Sequence, residues 1–156
     1  MGNGDFATAS NSPLGLATMI DEIDHTLLGK RILVLEDERL IALDVQDVLE
    51  ALGCIVAGPV ATVSEALNLI RDDCPDGAVV DVHLKNETSE PVANELRARG
   101  RPFLVVSAYQ PKHLTGALKG AQLLNKPIDE KALRQGLFAV FNLDRSNTMR
   151  KGAPAQ

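Results

Sequence analysis

The stretch VLEDERL, Val34–Leu40, decides the fold because it sets three adjacent acids between a strand pattern and a helix pattern. The run RILVL that leads into it is continuously apolar, which is typical of a strand buried on both faces of a parallel sheet. After the acids, apolar residues recur at helical spacing as far as Gly53. Carboxylates so close together repel one another, so their clustering at a strand end needs a physical reason.

The alternation of strand and helix patterns continues along the chain to residue 142. Four more short apolar runs follow the first, namely CIVAGPV (54–60), GAVVDVHL (77–84), PFLVVSAY (102–109) and AQLLNKP (121–127). Helical patterns follow them, namely TVSEALNLIRDDC (62–74), SEPVANELRARG (89–100), the weak PKHLTGALKG (111–120) and DEKALRQGLFAVFN (129–142). This alternation predicts an α/β fold in which helices cover both faces of a five-stranded parallel sheet.

Composition places the chain among globular proteins and argues against several functions. Its 156 residues are 45% hydrophobic and 24% charged, with a net charge of −5, which disfavours a nucleic-acid-binding surface. No apolar run is long enough to span a membrane, and MGNGDFATAS at the start lacks the basic and apolar parts of a signal peptide. We therefore expect a cytoplasmic protein without membrane contact, in which Cys54 and Cys74 are reduced thiols.

Both ends of the chain are expected to lie outside the main domain, which we predict to span residues 30–143. Residues 1–29 are predicted to form a tail with a short amphipathic helix, since SPLGLATMIDEIDHTLLGK has capping residues and one apolar face. The sequence leaves open whether this helix packs on its own domain or forms a homodimer. Residues 144–156 are predicted to be a disordered tail.

Polar residues follow four of the five predicted strands, where function concentrates in sheets of this kind. Glu36 and Asp37 follow the first strand, and Asp81 ends the apolar part of the third. Ser107 ends the fourth strand and Lys126 follows the fifth. Clustered carboxylates favour a hard divalent cation such as Mg²⁺, and a lysine with a hydroxyl would complete a site for a phosphoryl group. No glycine-rich loop follows the first strand, which separates the chain from P-loop and dinucleotide-binding proteins.

With these residues at these strand ends, the chain from about residue 30 to 142 resembles the receiver domain of bacterial two-component response regulators. The matching features are the acidic pair, the aspartate that ends the third strand, the hydroxyl of the fourth, and the Lys126–Pro127 step. The resemblance implies a three-layer, doubly wound, flavodoxin-like (βα)5 fold with sheet order 2-1-3-4-5. It also implies a family-type site at the carboxyl edge of that sheet.

The resemblance implies a role for each acid of the site. Asp81 would be the phosphoacceptor, a carboxylate nucleophile that takes a phosphoryl group from a kinase histidine. Glu36, Asp37 and Asp81 would hold Mg²⁺ together with the backbone carbonyl of His83. Glu38 is assigned to the start of the following helix. The alternative is that all three acids after the first strand only complement the helix dipole.

The resemblance also assigns the residues that would contact the phosphoryl group. Ser107 would donate a hydrogen bond to a phosphoryl oxygen. Lys126 would pair with Asp81 at rest and with the phosphoryl group afterwards. Because the next residue is Pro127, the peptide bond between them could be cis. Taken alone, a serine at a strand end or a lysine before a proline could equally be an ordinary loop residue.

The chain departs from the family pattern where the conformational switch is expected. Receivers often carry an aromatic residue three positions before the lysine, and this chain has Leu123 there. RPFLVVSAY partly resembles the Pro-Phe-x-Phe-x-Thr-Gly-Tyr signature of a subgroup of mostly single-domain receivers, so Tyr109 is the candidate switch residue. We expect residues 109–119 to be the signal-dependent segment, although Tyr109 could simply cover the sheet edge or meet a partner.

The resemblance implies a single-domain response regulator that is phosphorylated on Asp81 by a sensor histidine kinase. Output would pass by protein contact or by phosphorelay to a histidine phosphotransfer protein, and catalysis would be limited to self-phosphorylation and slow self-dephosphorylation. One alternative is a Mg²⁺-dependent phosphatase, which His83 disfavours because that chemistry needs a second acid near the nucleophile. The other is a receiver-like scaffold that never accepts phosphate.

Overall fold

Among the residues that the structure describes, seven strands form one large sheet and one small hairpin. The computed structural model describes residues 26–108 and 111–152, and the backbone alone at position 111 and over 143–152. The strands are β1 (Arg31–Leu35), β2 (Ile55–Val60), β3 (Gly77–Asp81), β4 (His83–Leu84), β5 (Glu87–Thr88), β6 (Phe103–Ser107) and β7 (Gln122–Asn125). Five of them form a parallel sheet in the order β2-β1-β3-β6-β7. Counted along the chain, this is the order 2-1-3-4-5, so the predicted topology is confirmed.

Helices cover both faces of the sheet, which makes the predicted three-layer α/β architecture correct. They are α1 (Arg39–Ala51), α2 (Val63–Asp72), α3 (Glu90–Ala98) and α4 (Glu130–Gly152). Helices α1 and α4 pack on one face, and α2 and α3 pack on the other. Within the described residues, no helix combines the length and the apolar character that crossing a membrane would require.

The core is divided in two by the sheet because successive strand residues point to opposite faces. Along β1, Leu33 and Leu35 join the apolar cluster beneath α2 and α3. Ile32 and Val34 join the cluster beneath α1 and α4. All four side chains are buried, which explains why the run is continuously apolar. The apolar run therefore ends at Leu35, and the charged Glu36 follows it at the edge of the core.

The third predicted strand is shorter than expected and is followed by a hairpin that the sequence analysis did not predict. Strand β3 ends at Asp81, and residues 83–88 form the antiparallel pair β4–β5 instead of continuing the strand. The carboxylate of Glu87 accepts a hydrogen bond at 3.0 Å from the backbone N–H of Val63, in the first turn of α2. That N–H has no partner within its own helix, so the hairpin satisfies it.

The prediction of a helix at 111–120 was wrong. The segment contains two short 3₁₀ turns, Pro111–His113 and Gly116–Leu118, and no α-helix. Gly116 has φ +57°, outside the range of a right-handed helix, and a Cβ there would collide with the carboxylate of Glu90 in α3. The segment is held instead by buried leucines, including Leu118, beneath α3.

One arginine of α3 ties this segment to the rest of the domain. The Nε of Arg97 donates to the carbonyl oxygen of Ala117 at 2.7 Å, and its Nη2 donates to that of Lys119 at 3.4 Å. The guanidinium also lies 5.1 Å from the centre of the Phe103 ring, within cation–π range. We call this set of contacts the Arg97 clamp.

The domain boundaries differ from the prediction where residues are described. Leu27 is fully buried in the cluster beneath α1, and Gly29 donates a backbone hydrogen bond to Gly53 at 2.8 Å, so the packed domain begins before residue 30. The predicted N-terminal helix otherwise lies outside the described residues. At the other end α4 continues to Gly152, so the prediction of disorder from residue 144 was wrong for 144–152.

We expect Arg97→Ala to lower the free energy of unfolding by about 1 kcal/mol, because it removes two hydrogen bonds and the ring contact of an exposed side chain. Arg97→Lys should not restore stability, since an ammonium cannot reproduce the fork of the guanidinium. Urea unfolding measures both effects. Arg99→Ala is the control, because it removes a surface pair with Glu95 and leaves the Arg97 clamp in place. An equal loss in the control would contradict a special role for the clamp.

Candidate functional site

Two acids from adjacent strands meet at the carboxyl edge of the sheet. Leu35 of β1 is paired in register with Val80 of β3, so the residues that follow them, Glu36 and Asp81, lie side by side. Both side chains are buried, with exposed fractions of 6% for Glu36 and 4% for Asp81. Buried carboxylates are costly unless they are paired or bind a cation. The sheet topology therefore creates the acidic site that the sequence predicted.

Lys126 provides positive charge to these acids from the end of β7. Its Nζ lies 2.9 Å from Oε1 of Glu36 and 3.0 Å from Oδ2 of Asp81. The expected contact between this lysine and Asp81 is therefore present. The Lys126–Pro127 bond is cis, the geometry that the proline allows. The fold thus brings Lys126 into contact with Glu36, which precedes it by 90 positions, and with Asp81, which precedes it by 45 positions.

The site is nevertheless short of positive charge. Burial, together with the adjacent Asp81 carboxylate, raises the pKa of Glu36 to about 8 against the opposing effect of Lys126. Burial alone would lower the pKa of Lys126, but its hydrogen bonds to Glu36 and Asp81 outweigh burial and raise the pKa above its ordinary value. The lysine is thus charged at neutral pH, and one ammonium does not fully offset two buried carboxylates.

A third acid completes a group of oxygens that could hold a cation. One carboxylate oxygen from each of Glu36, Asp37 and Asp81 lies within 4.8 Å of the other two. The Oε2 of Glu36 is buried and makes no hydrogen bond within the protein. A set of oxygen ligands with one unsatisfied buried oxygen matches the preference of Mg²⁺ for oxygen ligands. The residues present therefore fit the metal that the sequence analysis expected.

The other predicted site residues are placed as follows. Ser107 ends β6 and is buried, and its carbonyl oxygen accepts a backbone hydrogen bond from Lys126 at 2.9 Å. His83 begins β4, with its side chain exposed. Leu123 is half-buried in β7 and packs against the cluster beneath α2 and α3. Tyr109 lies outside the described residues, so its role as a switch stays a prediction.

The sequence analysis did not predict the contacts of Lys126 with Glu36 and Glu38. Glu38 is the residue that precedes α1, as assigned, but its side chain makes no capping hydrogen bond. Instead its Oε1 lies 3.5 Å from Nζ of Lys126. In the sequence, the indication of this contact is the presence of a third acid after the strand, and an acid at that position could equally serve to complement the helix dipole.

Comparison with known proteins agrees with the fold and the site. No family model matches the chain. It is 31% identical over 131 residues to the phyllosphere-induced regulator PhyR of Methylorubrum extorquens, covering 77% of this chain and 49% of PhyR. It is 28% identical over 93 residues to the transcriptional regulatory protein PdtaR of Mycobacterium tuberculosis, covering 59% of this chain and 45% of PdtaR. The chain thus spans about half the length of the curated relatives it matches.

Solved structures give the same result. The response regulator PhyR from Brucella abortus superposes with a TM-score of 0.74 at 25% identity, covering 88% of this chain and 57% of PhyR. The receiver domain of Erythrobacter litoralis PhyR superposes with a TM-score of 0.67 at 22% identity, covering 83% of this chain and 97% of that domain. The unit in common is therefore the receiver domain. The chain therefore has the fold of a response regulator receiver domain, and the proteins it is similar to in sequence are regulators.

We expect Lys126→Met to lower the free energy of unfolding by about 1–3 kcal/mol in metal-free buffer, because it leaves two buried carboxylates without their cationic partner. Chemical denaturation measures the change. Lys131→Met is the matched control, since that lysine is exposed in the first turn of α4. If both variants lose the same stability, the buried ion pairs do not support the fold.

Proposed function

We propose that the chain accepts a phosphoryl group on Asp81 from a sensor histidine kinase, with Mg²⁺ held by Glu36, Asp37 and Asp81. One observation carries the proposal. The Lys126 ammonium lies between Glu36 and Asp81, beside three carboxylate oxygens within 4.8 Å of one another. Transfer of an anionic phosphoryl group to a carboxylate is favoured by a nearby positive charge and by oxygen ligands that can hold a metal ion. The lysine would supply the charge, and the three carboxylates would supply the ligands.

In the proposed reaction a carboxylate oxygen of Asp81 attacks the phosphorus of a phosphohistidine. The new P–O bond forms as the P–N bond breaks, and the electron pair of that bond returns to the imidazole. Bound Mg²⁺ would neutralise charge on the phosphoryl oxygens. Lys126 orients Asp81 at rest through the 3.0 Å contact and is near enough to pair with the phosphoryl group afterwards. Ser107, at the end of the neighbouring strand, would donate to a phosphoryl oxygen.

The hairpin β4–β5 begins two residues after Asp81. We propose that the carbonyl of His83 serves as a further metal ligand, as in the family. Its hairpin is fixed to α2 through the bond from Val63 to Glu87. A polar anchor of this kind would keep the backbone beside Asp81 in place when the charge of the site changes. Residue 83, two positions after Asp81, is a histidine rather than an aspartate, which weakens the phosphatase alternative.

Output is proposed to run through protein contact or phosphorelay. Phosphorylation adds nearly two negative charges beside β6, and the segment after β6 is held by replaceable polar contacts such as the Arg97 clamp. One similar solved structure, with a TM-score of 0.70, is that of the anti-anti-sigma factor PhyR from Bartonella quintana. By analogy, the partner of this chain would be a regulatory protein, and its phosphodonor a kinase.

Phosphorylation is tested by incubating the chain with acetyl phosphate and Mg²⁺ and weighing the intact protein. We expect a mass gain of one phosphoryl group, because Asp81 is held beside a charged lysine. Asp81→Asn should abolish the gain, since an amide oxygen is a poor nucleophile. A gain that persists in Asp81→Asn would place the phosphoryl group elsewhere. No gain in either protein would favour a receiver-like scaffold.

The metal cluster is tested with Asp37→Ala. We expect this variant to lose Mg²⁺-dependent phosphorylation of Asp81 while it remains folded, because one of three clustered ligands is gone. Asp47→Ala removes a carboxylate from an exposed position of α1 and serves as the control. Intact mass measures phosphorylation, and circular dichroism measures the fold. Unchanged phosphorylation in Asp37→Ala would contradict the proposed metal site.

A further inference from the structure

All three N–H donors of the Lys126 ammonium are directed at carboxylates. Its Nζ lies 2.9 Å from Glu36, 3.0 Å from Asp81 and 3.5 Å from Glu38. A lysine ammonium has three donors and no more. A phosphoryl oxygen can therefore gain a hydrogen bond from Lys126 only if one of these acids gives up its own.

Glu38 differs from the other two acids in its surroundings. The side chains of Glu36 and Asp81 are about 5% exposed, whereas that of Glu38 is 63% exposed. Glu38 does not belong to the oxygen cluster that fits a cation. It also makes no capping bond to α1, although it immediately precedes that helix. Its side chain therefore contacts the site through Lys126 and does not cap helix α1.

We propose that Glu38 is a positioning residue that holds Lys126 in its resting place and competes with the incoming phosphoryl group for one N–H. The inference rests on the proposed phosphorylation of Asp81. Glu36 and Asp81 have further tasks in the site, so Glu38 is the partner that Lys126 releases. Because Glu38 is exposed and its contact is long, water can replace the lysine at its carboxylate with little loss. Glu38 thus limits how readily Lys126 reaches the phosphoryl group.

The test is the rate of phosphorylation of the full chain with Mg²⁺, followed by intact mass over time. Glu38→Gln keeps the size of the side chain but removes the charge that attracts Lys126. We expect phosphorylation about two- to fivefold faster, the range that an exposed ion pair can account for. Mg²⁺ affinity should not change, because Glu38 is outside the oxygen cluster. Glu50→Gln is the control, an equal loss of charge from an exposed position further along α1.

Two phosphodonors separate the action on Lys126 from simple repulsion of an anionic donor. Acetyl phosphate and the less negatively charged phosphoramidate should be accelerated by the same factor in Glu38→Gln. An acceleration confined to acetyl phosphate would overturn the inference in favour of general charge repulsion. So would a Glu38→Gln rate equal to or below that of the wild type, or an equal acceleration in Glu50→Gln.

Failure of the inference is distinguishable from failure of the proposed function. If the wild-type chain is phosphorylated on Asp81 and Glu38→Gln behaves like it, only the role of Glu38 is wrong. If the wild-type chain gains no phosphoryl group from either donor, the proposed function fails and the role of Glu38 fails with it.

Discussion

The contact of Lys126 with Glu36 and Asp81 is the interaction on which the rest of the site depends. Each of these residues follows or ends a different strand, and the three strands include the centre and one edge of the sheet. Two buried carboxylates side by side would repel each other, and a buried lysine alone would lose its charge. Each is stable there only because the others are present, so the site forms only when β1, β3 and β7 are all in place.

The segments around this edge combine buried leucines with partly exposed polar contacts to the helices. Glu87 attaches the hairpin to the start of α2, and Arg97 attaches the segment before β7 to the end of α3. These bonds are individually weak and partly exposed, unlike the apolar clusters on the two faces of the sheet. A change of charge at Asp81 would therefore act on the least firmly held parts of the domain while the sheet and its helices stay in place.

The sheet and most of the site could be predicted from the sequence, because buried parallel strands read as continuous apolar runs and their ends share one edge. RILVL and FLVVS are examples, and the polar residues after such runs needed only the topology to be brought together. The segment at 111–120 could not be predicted, since its form depends on distant contacts such as the bonds from Arg97 to the carbonyls of Ala117 and Lys119. The contact of Glu38 was missed for the same reason, because its partner is 88 residues away.

The outer strands of the sheet also limit how copies of the domain can associate. Strand β2 carries a register shift and Pro59 along its length, and β7 offers only four residues. Within the described residues no further strand pairs with either of them. An interrupted strand and a very short one are poor templates for a strand from another molecule. A high local concentration of copies should therefore not convert this sheet into a continuous intermolecular one.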